Sequence, residues 1–169
     1  NTAMDVARQA VMLGATEVMM LYRRSEAEMP AFAHEIAAAK REGVKIVPLV
    51  APVEFVGRDR VMGVKCIRMA LGAPDASGRP RPEPVKGSEF VLDVDTVIKA
   101  IGQKPHLDLL SKFGVEMKGS TVRVDADMRT TVKGVYAGGD CINGGATVVQ
   151  GVRDGRNAAR TIDRDLSGK

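Results

Sequence analysis

Gly134-Val135-Tyr136-Ala137-Gly138-Gly139-Asp140 sets a short apolar run, a glycine pair and a carboxylate side by side. Gly144-Gly145 follows, and Ala146-Thr147-Val148-Val149 opens a long helical pattern. The run Val135 to Ala137 reads as a strand. A strand that stops at Gly-Gly can bring its backbone against a ligand, because glycine has no Cβ to hold the ligand off. The carboxylate can accept hydrogen bonds from sugar hydroxyls. The start of the following helix offers unpaired N–H groups and a partial positive charge to an anion or a polar ring edge. Asp140 thus reads as the holder of a ribityl or ribose group. The glycines alone read equally well as a plain turn between a buried strand and a helix.

Upstream, strands and helices alternate. Thr2 to Leu13 carries Ala3, Val6, Ala7, Ala10 and Val11 at helical spacing and stops at Gly14. Thr2 followed by Asp5 resembles a capping box with aspartate in place of glutamate. Glu17 to Tyr22 reads as a strand, Pro30 to Glu42 as an alanine-rich helix ending at Gly43, and Val44 to Val50 as a second strand. This alternation points to an α/β fold with a parallel, helix-covered sheet. The pattern then changes to a β-meander. Pro52 to Leu71 reads as a hairpin turning at Arg58-Asp59-Arg60. Gly72 to Gly87, with four prolines and three glycines, reads as an exposed irregular loop. Phe90 to Ile101 and Thr121 to Asp125 read as strands. Ala146 to Leu166 reads as a helix burying Val149, Val152, Ala158, Ala159 and Ile162. In an α/β unit the first helix follows a strand, so a chain that opens on a helix reads as truncated before its first strand.

Composition narrows the function. The 169 residues suffice for one domain or parts of two, and 44% apolar with 27% charged residues is ordinary for a globular protein. No run approaches the roughly 20 apolar residues that a bilayer crossing needs, and the N-terminus lacks a signal-peptide pattern. A cytoplasmic protein with no membrane partner is the expectation. A net charge of +4, spread without a basic helix or interleaved aromatics, argues against nucleic acid. Cys66 and Cys141 match no metal or redox spacing. Cys66 reads as core, as do Met19, Met20, Met62 and Met69. Two histidines, His34 and His106, are too few for a histidine metal site. Glu54, Asp93 and Asp95 read as solvent-facing.

The remaining chemistry lies near the N-terminus. Arg23-Arg24 follows the apolar Leu21-Tyr22, and the next acid is Glu26. In a dinucleotide-binding unit the end of the second strand faces the adenosine ribose, where an acid accepts from the 2′-hydroxyl and arginine pairs with a 2′-phosphate. Arginine suits phosphate because its planar fork is always charged and binds bidentately. The pair therefore favours NADP(H) over NAD(H); a solvated charge pair at a strand end is the plainer reading. Asn1-Thr2-Ala3 fits the last three places of the G-x-G-x-x-A fingerprint, and Arg23 lies about 20 residues beyond, where that fingerprint contacts the ribose.

Taken together, Asn-Thr-Ala-Met-Asp-Val-Ala-Arg (1–8), Leu-Tyr-Arg-Arg-Ser-Glu-Ala-Glu-Met-Pro-Ala (21–31), Ala-Ile-Gly-Gln-Lys-Pro (100–105) and Val-Tyr-Ala-Gly-Gly-Asp-Cys-Ile-Asn-Gly (135–144) resemble the small (β) subunit of NADPH-dependent glutamate synthase. They also resemble related FAD/NAD(P)-binding flavoproteins of the pyridine nucleotide-disulfide oxidoreductase kind. The resemblance covers nearly the whole chain. It implies a Rossmann-like FAD/NAD(P)-binding fold with an NADP domain inserted into an FAD domain. Residues 1–100 would then be an NADP(H)-binding domain lacking its first strand, and residues 101–169 the C-terminal segment of an FAD-binding domain.

By resemblance, Asn1, Thr2 and Ala3 start the helix at the NADP pyrophosphate, and Arg23 and Arg24 hold the 2′-phosphate. Ala100, Ile101 and Gly102 mark the return to the FAD domain. Gly139 and Asp140 approach the FAD pyrophosphate and ribityl, and Ala146, Thr147 and Val148 offer N–H groups to the flavin ring. The implied activity passes hydride from NADPH to FAD and electrons on to a larger catalytic subunit or an iron–sulfur or flavin acceptor. Iron–sulfur clusters would belong only to the partner or to regions outside this chain, and the fragment alone would be inactive. No side-chain acid–base catalyst stands out, as fits chemistry carried by cofactors. The alternative is a non-catalytic dinucleotide-binding or subunit-docking module.

Overall fold

In the computed structural model, which describes residues 1–76, 78–102 and 106–168, the chain divides into two compact units, Asn1–Ile101 and Gly102–Lys169. The first unit begins with helix α1 (Thr2–Met12) and strand β1 (Met19–Tyr22), then a 3₁₀ turn (Glu26–Glu28), helix α2 (Ala33–Arg41) and strand β2 (Lys45–Pro48). β1 and β2 pair in parallel, Met20 opposite Ile46 and Leu21 opposite Val47. Side chains alternate across a strand, and this pair uses both faces. Met20 and Ile46 pack on the core that α1 and α2 bury with Met4, Ala7, Ala39 and Val44. Leu21 and Val47 pack on the opposite core, formed around Val50, Val64 and Cys66. Such two-sided burial is why β1 and β2 read as continuous apolar runs. Cys66 is fully buried, and burial pushes its thiol pKa up.

The second core belongs to an antiparallel sheet. Leu49, at φ +56°, turns the chain from β2 into β3 (Val50–Val56). β3 pairs antiparallel with the long β4 (Gly63–Pro74), which pairs with β5 (Pro80–Pro84) and β6 (Phe90–Asp93). The hairpin at Arg58–Arg60 forms as its sequence suggests, but the expected loop over 72–87 does not. β4 runs on to Pro74 and turns back as β5, with Asp75 N–H donating to Arg79 C=O at 2.8 Å. Prolines 80, 82 and 84 alternate, so their missing N–H groups all fall on one edge and leave the other free to pair. The strand expected over Phe90–Ile101 is confined to β6, and Val94, after its end, turns its N–H to Met62 C=O at 3.3 Å. Met62 itself is 62% exposed rather than core. The second helix begins at Ala33 rather than Pro30.

The second unit holds helix α3 (Leu107–Lys112), strands β7 (Met117–Lys118) and β8 (Thr121–Val122), a short helix α4 (Asp140–Asn143) and the long helix α5 (Val148–Ser167). β7 and β8 form an antiparallel pair, with Val122 in β8 and Val115, two residues ahead of β7, buried. The strand expected over Thr121–Asp125 ends at Val122, and Asp125 instead heads a turn whose N–H takes Arg129 C=O at 3.0 Å. Val135 to Ala137 makes a single bridge, Arg129 to Tyr136, rather than a strand. It folds back on Met128 and Thr130, with Thr130 N–H to Val135 C=O at 2.9 Å. Gln103, Lys104 and Pro105, part of the 100–105 motif, lie outside the described residues, as does Ser77.

Candidate functional site

Near the carboxyl end of β1 the first unit places five of the sequence-predicted residues, Asn1, Thr2, Ala3, Arg23 and Arg24. Asn1 C=O accepts from Met4 and Asp5 N–H at 2.7 and 3.1 Å. No side chain caps α1, so Thr2 and Ala3 keep unpaired N–H groups at the open helix end. The Thr2–Asp5 capping box does not form, because Thr2 already lies within the helix and Asn1 holds the cap position. The Asn1 carboxamide turns away, its oxygen accepting from Phe32 N–H at 3.2 Å. That bond joins the start of α1 to the start of α2. Between β1 and α2, Tyr22 Oη donates to Glu28 C=O at 2.9 Å and holds the 3₁₀ turn against the strand end.

The two arginines part company here. Arg23 is exposed and has no ion pair among the described residues. Arg24 is 5% exposed; its Nη2 pairs with Asp75 Oδ2 at 2.7 Å and its Nε donates to Pro80 C=O at 2.8 Å. Glu26, the first acid after β1, pairs with Lys40 at 2.5 Å. An open hollow of about 340 Å³ beside α2, lined by Ala33, Ile36, Ala37 and Lys40 with Glu26 and Ala27, contains none of the sequence-predicted residues. His34, in α2, is exposed and stacks on Phe32 with ring centroids 5.7 Å apart.

The second unit assembles the glycine turn on α5. Gly139 stands at φ +72°, ψ −148°, a region that is essentially glycine's alone. Its N–H donates to Asp154 Oδ2 at 3.2 Å, and Asp154 is 5% exposed. A Cβ on Gly138 would come 3.0 Å from Asp154 Cβ. Asp140 is exposed and its Oδ1 accepts from Ala146 N–H at 3.3 Å. Thr147 caps α5: its Oγ1 accepts from Gln150 N–H at 3.3 Å, and its own N–H donates to Gln150 Oε1 at 3.1 Å. Ala146 and Thr147 therefore have engaged N–H groups, and those of Val148 and Val149 stand at the open end of the helix. Ala100, Ile101 and Gly102 fall where the first unit ends and the second begins.

The buried side of α5 differs from the expected one. Val149 and Val152 are 78% and 67% exposed and Ala159 is exposed, whereas Asp154 and Thr161 are buried. The backbone of Gly138–Gly139 needs a small neighbour and an acceptor, and Gly151 and Asp154, three residues apart on α5, supply them. A glycine and an aspartate at i, i+3 on the helix that follows the turn are the signal by which Asp154 could have been found.

Further along α5, Asp165 accepts from Arg129 at 2.6 and 2.8 Å and from Tyr136 Oη at 2.8 Å. Arg129 and Tyr136 hold the Asp165 carboxyl well below the usual range, and Asp165 raises the Tyr136 hydroxyl. Asp127, beside Arg164 and Arg129, is lowered too. This network ties Tyr136, just ahead of the glycines, to α5. Among the described residues no group of three or more His, Cys, Asp or Glu could hold a metal ion. No helix there is long and apolar enough to cross a membrane.

Residues 1–155 match the family model described as pyridine nucleotide-disulphide oxidoreductase. The chain is 48% identical over 168 residues to the NADP(+)-dependent formate dehydrogenase subunit beta of Moorella thermoacetica, covering 98% of this chain and 24% of that protein. It is 43% identical over 167 residues to the glutamate synthase [NADPH] small chain of Azospirillum brasilense, covering 96% and 34%. The chain spans 24% to 40% of the length of such relatives. In fold it is similar to thioredoxin reductase of T. acidophilum, with a TM-score of 0.75 at 23% identity over 96% of this chain and 49% of that one. The Lactococcus lactis thioredoxin reductase gives 0.75 at 19% identity, over 98% and 51%. The architecture is thus the Rossmann-like FAD/NAD(P)-binding type.

Proposed function

The chain belongs to the pyridine nucleotide-disulphide oxidoreductase family, and from that premise we propose that it is part of a flavoprotein that takes hydride from NADPH onto FAD and delivers electrons to a partner. Residues 1–100 serve NADP(H) and residues 101–169 serve FAD. The supporting observation is an exposed Arg23 at the same strand end as the open start of α1, with the nearest following acid, Glu26, committed to Lys40. A free guanidinium and no free carboxylate at that position suit a 2′-phosphate and not a 2′-hydroxyl.

Each residue has a part in binding. The N–H groups of Thr2 and Ala3, behind Asn1, face the NADP pyrophosphate, and Arg23 pairs with the 2′-phosphate while Arg24 stands behind it. Gly139 admits the FAD pyrophosphate to the backbone, and Asp140 accepts from the ribityl hydroxyls. Val148 turns its N–H to the flavin, with Ala146 and Thr147 shaping the approach. Ala100, Ile101 and Gly102 carry the chain from one cofactor to the other. FAD, when bound, supplies the hydride-accepting ring; the chain orients it and needs no proton-transfer side chain. The acceptor is a larger catalytic subunit or an iron–sulfur or flavin centre, the glutamate synthase small-chain arrangement being the model.

The test is a titration of the flavin-loaded protein with NADPH and NADH, followed by loss of the flavin absorbance. Bleaching at lower NADPH than NADH is the expected result. Arg23→Ala should weaken the NADPH response about tenfold to a hundredfold, the worth of a charged hydrogen-bonded contact, and leave NADH unchanged. Equal response to both nucleotides overturns the cofactor assignment. A flavin that neither reduces makes the chain a docking module instead.

A further inference from the structure

We infer that Asp75 is a specificity-positioning residue: by holding Arg24 down it aims Arg23, so that Arg23 alone reads the 2′-phosphate. The inference rests on the NADPH reading above and divides the work of the two arginines that the sequence presents as one pair. Arg24 is held at two points by the tip of the β4–β5 hairpin, through the Asp75 carboxylate at 2.7 Å and the Pro80 carbonyl at 2.8 Å. Its backbone carbonyl accepts from Leu49 N–H at 3.0 Å, which ties it also to the turn between β2 and β3. The side chain is 6% exposed and Asp75 is 26% exposed. A phosphate dianion reaching Arg24 would have to displace a partly buried carboxylate or lie against it, and like charges at that range repel.

Arg24 is therefore spent inside the protein, while its neighbour Arg23 is exposed and has no ion pair among the described residues. Fixing the buried residue of the pair fixes the backbone from which the exposed one projects. A preorganised guanidinium loses less freedom on pairing with phosphate than one on a loose strand end. Asp75 has a second hold on the same turn, its Oδ1 accepting from Arg79 N–H at 3.4 Å. The hairpin tip, 51 residues beyond Arg24 in sequence, thereby becomes part of the nucleotide site without touching the nucleotide.

Asp75→Asn separates this from the obvious alternative by the sign of its effect. Were Arg24 a phosphate ligand restrained by Asp75, neutralising Asp75 would release it and raise the preference for NADPH over NADH. With Asp75 positioning Arg23, the same change lowers that preference about three- to tenfold, through the KM for NADPH and not through kcat. The measurement is flavin reduction in the flavin-loaded holoenzyme, with the ratio of kcat/KM for NADPH and NADH as the readout. In an Arg23→Gln background Asp75→Asn should leave the ratio unchanged, because there is no longer a guanidinium to aim. Asp75→Glu, which keeps the carboxylate, should restore most of the preference, and thermal melting of each variant checks that it folds. A raised ratio, an unchanged ratio, or an undiminished effect in the Arg23→Gln background overturns the inference. A wild-type enzyme without NADPH preference would instead overturn the functional reading itself, before any Asp75 variant is compared.

Discussion

At the scale of single residues, the turn that precedes α4 stands on two contacts with Asp154. Gly139 takes a backbone conformation that a Cβ makes costly, so Gly139→Ala should destabilise the second unit by roughly 1–3 kcal/mol. Gly138 has an ordinary conformation but no room, since a Cβ there meets Asp154 Cβ at 3.0 Å and the Asp154 backbone at 3.3 Å. Overpacking of this kind costs about 1–3 kcal/mol. Asp154→Gly, which removes that Cβ, should ease the second problem and not the first. It leaves the Gly139 N–H without its acceptor, a loss of about 1–3 kcal/mol. Urea denaturation of the three single variants and of Gly138→Ala/Asp154→Gly measures all of this. If the double variant is as unstable as the sum of the two single ones, the close approach to Asp154 is not what constrains Gly138. The glycine turn was legible from sequence, because backbone freedom is a local property. Asp154 was not, because its role depends on a contact 15 residues away in sequence.

At the scale of elements, α5 separates what a pattern can convey from what it cannot. Its start was legible to within two residues, Ala146 against Val148, and the structure adds a Thr147–Gln150 capping box there, a signature of residue type and spacing alone. Thr147→Ala should cost the second unit about 1 kcal/mol, seen as an earlier denaturation midpoint. Its buried face was not legible, because hydrophobic spacing presumes that the neighbour is apolar side chains, and here the neighbour is glycine backbone. Val152, 67% exposed, should therefore accept lysine with a change within about 0.5 kcal/mol. A large loss of stability in Val152→Lys would mean that the valine face is covered after all. The β4–β5 hairpin shows the same limit from the other side. Its prolines suggested a loop by composition, yet their spacing of two suits a strand that pairs along one edge. Composition misled where periodicity carried the information, and the hairpin tip brings Asp75 to Arg24, a pairing that no local motif could have included.

At the scale of the whole chain, the parallel pair and its helices were readable because apolar runs with helical and strand periods recur in order. The charge networks were not, since their partners lie far apart in sequence. Asp165 is lowered first by its bond to Arg129, Asp127 first by Arg164, and Glu42, in the other unit, first by Arg8. A carboxyl whose folded pKa lies below its unfolded value near 4 binds its proton more weakly in the native state. Its contribution is complete above about pH 4 and is lost as pH falls through the folded value. Tyr136 runs the other way. Asp165 raises its hydroxyl, so that contribution is complete below about pH 10 and fades as pH rises beyond it. Thermal melts by circular dichroism across pH should thus show a plateau with an acid and an alkaline limb. Arg129→Gln should flatten the acid limb, because it takes the main partner from Asp165 and the second from Asp127. Tyr136→Phe should remove the tyrosine share of the alkaline limb while leaving most of the acid one. The pairs are partly open to solvent, with side chains 30–48% exposed, so about 1 M salt should shrink the acid limb as well. Acid limbs that coincide for wild type and Arg129→Gln at low salt would show that the network adds nothing to stability in acid.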